Sequence, residues 1–270
     1  MACKNRKISK ISLLHYVKLV VRSLLFIGAL VVYIINKVNH SEDLFLGIED
    51  KPIILGIIWI LFVAEMILRF FPVKLESMGC QKQFAKNYLP GEENVPKKQK
   101  ALSTFAVAAF WLALNGIIGL LYFLGVYDAG VLVLISLAFS VCDMICILFF
   151  CPFQTWVMKN KCCTTCRIYN WDYAMMFTPL IFIKNPFTLS IVAIALLLLV
   201  KWEYLYHKHP ERFTENTNRS LACSNCKEKL CFHKRQLRSF LKKQKELLKQ
   251  QTEKVKTKLQ SGKNKSDKND

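Results

Sequence analysis

Seven of the chain's eleven cysteines fall in two short windows, Cys151 to Cys166 and Cys223 to Cys231. Each window holds a Cys-x-x-Cys pair, Cys163-Thr-Thr-Cys166 and Cys223-Ser-Asn-Cys226. A two-residue spacer lets both sulfurs of one turn reach a single ion, and two such pairs supply four thiolates for a tetrahedral metal. Cys163, Cys166, Cys223 and Cys226 are therefore the candidate ligands, with Cys151, Cys162, Cys231 and His233 as alternates. Zinc and an iron–sulfur cluster both accept four cysteines. The run Cys-x2-Cys-x2-Cys-x3-Cys-Pro is absent, only Cys151-Pro152 matching its end, and the nearby His233 favours zinc. A third reading leaves the thiols free of metal, as inert or redox-active groups.

The two pairs stand 56 residues apart, so the elements between them decide whether they can meet. The chain is 53% hydrophobic and carries a formal charge of +19, and the two kinds of residue are segregated along it. Apolar runs alternate with basic clusters, which predicts an all-α integral membrane protein. Six transmembrane helices in three hairpins are expected, at about 17–36, 52–71, 101–125, 130–150, 168–184 and 186–206. In the first, Lys18 and Arg22 are expected to snorkel to the interface. The fifth has only 13 apolar residues, with Pro179 inside, so it is read either as a span extended back towards Arg167 or as a re-entrant segment.

Lysine and arginine placement sets the orientation. With six spans and the N-terminus inside, only Lys37, Lys51 and Lys184 of the 38 basic residues face outward. Both termini are then cytoplasmic, and the cell membrane is the expected location. The Cys-rich loop 151–167 and the tail 207–270 share that reducing side, where structural disulfides are disfavoured. The hairpin between the two Cys-x-x-Cys pairs returns the chain to its starting side.

The segment Cys163-Thr-Thr-Cys166-Arg167-Ile168 resembles the opening of the zinc-binding cysteine-rich domain of membrane palmitoyltransferases, and Cys223-Ser-Asn-Cys226 resembles its later part. The likeness covers about ten residues and implies zinc ligation. The family's Asp-His-His-Cys catalytic run is missing, so it implies no acyl transfer.

Two further ionisable residues lie inside predicted helices, where they are costly and often functional. Glu65 has Arg69 one turn on, which predicts an intrahelical pair. Asp143 has no such partner and shares its helix with Cys142 and Cys146. It is read as a carboxyl satisfied by a neighbouring helix or, alternatively, as a cation or proton site. Asn115, Gly116 and Gly119 suit close helix packing with one interhelical hydrogen bond, and Asp172 suits a helix cap.

The tail has 12 Lys or Arg against three Glu between Lys227 and Lys258. Its expected partner is the anionic inner-leaflet lipid, with a protein partner possible on the Leu241, Leu248 and Val255 stripe. No aromatic interleaving supports nucleic-acid binding. Walker, dinucleotide-binding, Ser-His-Asp and His-Glu-x-x-His motifs are absent, which argues against most soluble-type enzymology. The expectation is a metal-stabilised membrane scaffold or interaction protein. Its alternatives are a membrane redox protein and a small transporter using Asp143.

Overall fold

The computed structural model describes residues 10–38, 52–73, 78–93, 95–96, 101–160 and 162–222, with positions 224, 239, 244 and 246–248 beyond them. The chain divides into two units, one of Asn5–Lys229 and the other of Met1–Lys4 with Leu230–Asp270. In the larger unit the helices are α1 (Lys10–Val38), α2 (Pro52–Leu68), α3 (Met78–Gln83), α4 (Ala101–Phe123), α5 (Ala129–Leu148), α6 (Asp172–Phe177) and α7 (Pro186–Lys208). Among the described residues β-structure is limited to one bridge, Pro90 to Asn218.

Four helices are long and apolar enough to cross a membrane: α1, α4, α5 and α7. Their outward side chains are themselves apolar, with Leu24 64%, Leu112 67% and Leu197 63% exposed. Such faces suit hydrocarbon better than water. Helix α2 is uniformly apolar but has 17 residues, or about 26 Å at 1.5 Å per residue.

The ends of these helices follow from local chemistry. Gly125 ends α4 with φ +74°, and the amides of Gly125 and Val126 donate to the carbonyls of Tyr122 and Leu121, each at 3.0 Å. That is the paired bonding of a Schellman stop, which needs a residue tolerant of the left-handed conformation. Three residues later the Asp128 carboxylate accepts the Val131 amide at 2.8 Å and caps α5. Asn185 does the same for α7, accepting from Phe187 N at 2.9 Å, with Pro186 as its first residue.

The doubtful fifth segment is not one helix. It is a 3₁₀ stretch Arg167–Trp171, then α6, then a second 3₁₀ stretch Thr178–Phe182 around Pro179. Tyr173, Met176, Phe177 and Leu180 are buried, and the segment packs against α4, α5 and α7. Side chains take up carbonyls along it: Ser136 of α5 donates to Met176 O at 2.6 Å, and Thr188 donates to Ile183 O at 3.1 Å. An irregular backbone of this kind is tolerated at membrane depth only when protein encloses it.

Gly119 and Gly116 of α4 have different environments. A Cβ on Gly119 would lie 2.4 Å from the Phe182 ring, whereas one on Gly116 meets nothing within 4 Å. Among the described residues Asn115 makes no bond between helices; its amide donates to Trp111 O of its own helix at 3.0 Å, because the polar end turns back along α4. Gly119→Ala is expected to lower stability by about 1–3 kcal/mol through overpacking, with Gly116→Ala neutral or slightly stabilising. Thermal unfolding of the two purified variants in the same detergent checks the contrast.

Candidate functional site: a charge network beneath a thiol-lined cavity

The ionisable residues of α1, α2, α5 and α6 converge. Arg22 is 2% exposed and its guanidinium bridges two carboxylates, Glu65 at 2.7 Å and Asp143 at 3.2 Å. It also donates to Ser140 O at 3.2 Å. Glu65 is further engaged by Lys18 at 3.4 Å and by the Tyr173 hydroxyl, which donates at 3.0 Å. Beside them Arg69 pairs with Asp172 at 2.6 Å and lies 4.7 Å from the centre of the Tyr173 ring. Three cations thus face three anions, so the set is formally neutral. Neutrality is what a low-dielectric interior demands of buried charges.

Three expectations change here. Glu65 does not pair with Arg69 one turn away, because Arg69 is taken by Asp172 and Glu65 by α1. Arg22 does not snorkel. It stands twelve residues into α1, about 18 Å along the axis, and buries its head against α2 and α5 instead. Asp172 is the first residue of α6 rather than its cap, Trp171 holding that position; its carboxylate accepts from Tyr173 N at 3.0 Å and serves the ion pair with Arg69. Asp143 does have its carboxyl satisfied by a neighbouring helix, through Arg22.

Asp143 and Asp172 also line a cavity of about 140 Å³. Its other walls carry five thiols: Cys142 and Cys146 from α5, and Cys151, Cys163 and Cys166 from the loop that follows. Cys142 and Cys146 are one helical turn apart and so share a face. The loop is built by its own polar residues. Pro152 precedes a π-helical turn at Phe153–Val157. Within it buried Gln154 donates to Asn160 O at 3.1 Å while accepting from the Cys163 thiol at 2.9 Å. Cys163-Thr-Thr-Cys166 forms a tight 3₁₀ turn closed by Cys166 N to Cys163 O at 2.9 Å. Both of its cysteines line the one cavity.

Neighbouring segments fix that loop. Gln83 donates to Thr164 O at 2.9 Å and accepts from Asn170 at 2.7 Å, and the Cys80 thiol donates to Asn170 at 3.1 Å. Residues 210–222 join through Asn218, which donates to Lys82 O at 3.0 Å, and through Gly91 N to Thr217 O at 2.8 Å. The loops after α2, after α5 and after α7 therefore form one hydrogen-bonded layer.

Of the sequence-derived ligands, Cys163, Cys166 and the alternate Cys151 share the cavity, while Cys162 contacts Thr164 Oγ1 at 3.2 Å. Cys223, Cys226, Cys231 and His233 lie outside the described residues, as do Leu241 and Val255; Leu248 is described and is exposed. Among the described residues no three His, Cys, Asp or Glu side chains converge as a metal ion requires. Sequence reasoning missed Arg22, Tyr173 and Gln154. No family model, curated protein or solved structure matches the chain.

Removing Arg22 leaves two carboxylates without their shared cation. Arg22→Met is expected to cost about 3–5 kcal/mol, the usual result of breaking a buried pair from one side. Adding Asp143→Asn should recover part of the loss, as read by unfolding of the single and double variants in detergent.

Burial, with smaller contributions from Cys151 and Cys163, pushes the Cys166 thiol up to about 12. The folded state holds this proton more tightly than the unfolded chain does. The resulting stability is complete below about pH 9 and is lost as pH rises towards about 12. Maleimide labelling at neutral pH should accordingly leave Cys166 unmodified in the folded protein and modify it on unfolding, as peptide mass analysis would show.

Proposed function

We propose that the chain is a six-span membrane protein with both termini cytoplasmic. In this reading Cys163 and Cys166, with Cys223 and Cys226 of the tail, hold one zinc ion, and the metal pins the tail to the loop after α5. The protein then acts as a metal-stabilised scaffold or interaction protein. The observation that carries this reading is that both cysteines of the first Cys-x-x-Cys turn line one cavity with Cys151. Half of a tetrahedral ligand set is thus presented together, in a loop that Gln154 and Gln83 hold in shape.

The topology has support of its own. The three loops assigned to the cytoplasm are hydrogen-bonded to one another, as loops on one side of a membrane can be. Residues assigned to the far end meet separately, Tyr33 donating to Asp128 at 2.9 Å and Lys37 approaching it at 3.4 Å. Helix α2 and the broken segment through α6 complete the six crossings, with α6 enclosed by neighbouring helices. The basic tail then rests on anionic lipid of the inner leaflet, where each basic residue contributes about 1 kcal/mol.

Metal analysis of the purified full-length protein tests the reading. One zinc per chain is expected, lost both in Cys163→Ser/Cys166→Ser and in Cys223→Ser/Cys226→Ser. Unchanged zinc after substitution of the tail pair would remove that pair from the ligand set. A brown protein absorbing at roughly 400 nm would instead mark an iron–sulfur cluster.

A further inference from the structure

The last turn of α5 departs from α-helical bonding in a way that matters for two of the cavity thiols. Phe149 N donates to Ile145 O at 2.8 Å, and Phe150 N donates to the same carbonyl at 3.1 Å. The second bond spans five residues rather than four, so the turn widens as a π-bulge does. Widening brings residue 151 over residue 146. The Cys146 and Cys151 thiols are in hydrogen-bond contact with each other, and both line the same cavity. Pro152 interrupts the hydrogen-bond ladder of α5, so Cys151 lies past the end of that helix, where its carbonyl accepts Thr155 N of the following turn at 3.0 Å.

We infer that Cys146 and Cys151 form a redox-active dithiol that closes to a disulfide by exchange with a small-molecule disulfide admitted to the cavity. Neither Cys146 nor Cys151 is one of the four proposed zinc ligands, although Cys151 is among their alternates. Cys151 is the attacking thiol. It is half-buried rather than enclosed, and its sulfur accepts the Gln154 backbone amide at 3.4 Å.

In the first step the Cys151 sulfur attacks one sulfur of the incoming disulfide. The disulfide's S–S bond breaks, a mixed disulfide forms on Cys151, and one small thiol leaves carrying the proton that Cys151 gave up. In the second step the Cys146 sulfur attacks the Cys151 sulfur. The mixed disulfide breaks, the Cys146–Cys151 bond forms, and the second small thiol leaves with the Cys146 proton. The protein loses two electrons and two protons, and the small disulfide gains both. Dithiol and disulfide are both uncharged, so neither state asks the apolar end of α5 to hold a new charge. Closure shortens a sulfur contact to about 2 Å, which requires movement of residues 149–151 at the unwound helix end.

Hydroxyethyl disulfide is a suitable probe, and full-length wild-type protein in detergent is the sample. After incubation, alkylation in denaturant with a zinc chelator, and digestion, alkylatable thiols should fall from eleven to nine, with Cys146 and Cys151 joined in one cross-linked peptide. Dithiothreitol should return the count to eleven. Cys146→Ala should stop at a stable mixed disulfide on Cys151, and Cys151→Ala should leave Cys146 unmodified. Retention of both thiols in the wild type would overturn the inference, as would a cross-link formed elsewhere, such as Cys163 to Cys166. The wild-type readout needs no variant, so a poorly folding substitution does not blunt the test.

Discussion

A guanidinium that cannot reach water governs how this protein packs. Arg22 lies deep in α1, and burial of its charge is tolerable only if carboxylates come to it. Glu65 from α2 and Asp143 from α5 do so, which sets the rotation of all three helices. Tyr173 then extends the constraint to α6, because its hydroxyl completes Glu65 and its ring lies beside Arg69. In an apolar bundle that otherwise lacks direction, since lipid-facing and protein-facing leucines differ little in energy, these bonds supply register. Lys18, Arg22 and Arg69 balance Glu65, Asp143 and Asp172, so the register is obtained without a net buried charge.

The same carboxylates connect the membrane-embedded part to the Cys-rich loop. Asp143 and Asp172 point to the network on one side and to the cavity on the other. The loop is thereby held from below by ion pairs and from the side by Gln83, Asn170 and Gln154. Cysteines held by so many neutral hydrogen bonds can keep a fixed geometry without a metal, and the Cys166 thiol remains protonated at neutral pH. Ligation would have to displace that proton, which ties metal affinity to pH.

Much of the architecture was legible in the residues. Long apolar runs identify α1, α2, α4, α5 and α7, because the apolar run that makes a membrane helix is a local property of the chain. The Cys-x-x-Cys turn was legible for the same reason. The partners of the charged residues were not. Glu65 and Arg69 have ideal spacing for an intrahelical pair, yet each is drawn to a residue more than 40 positions away, since three-dimensional neutralisation outweighs a bond worth a few tenths of a kcal/mol on a helix surface. The broken form of residues 167–183 was half legible, Pro179 announcing it while Ser136, which takes up a carbonyl there, lies on another helix.

The pairing of Arg22 with Asp143 has a consequence for biosynthesis. The two residues are 121 positions apart, and chains are made at about 5–20 residues per second, so the arginine is synthesised about 6–24 s before its carboxylate. Glu65 follows sooner, 43 positions on. During that interval Lys18 and Arg22 of α1 have at most one counter-charge, an unfavourable burden for a segment alone in lipid. The first helix therefore has reason to linger beside the insertion machinery, or at the bilayer surface, until α5 emerges. The order in which helices are committed to the membrane would then differ from the order in which they leave the ribosome.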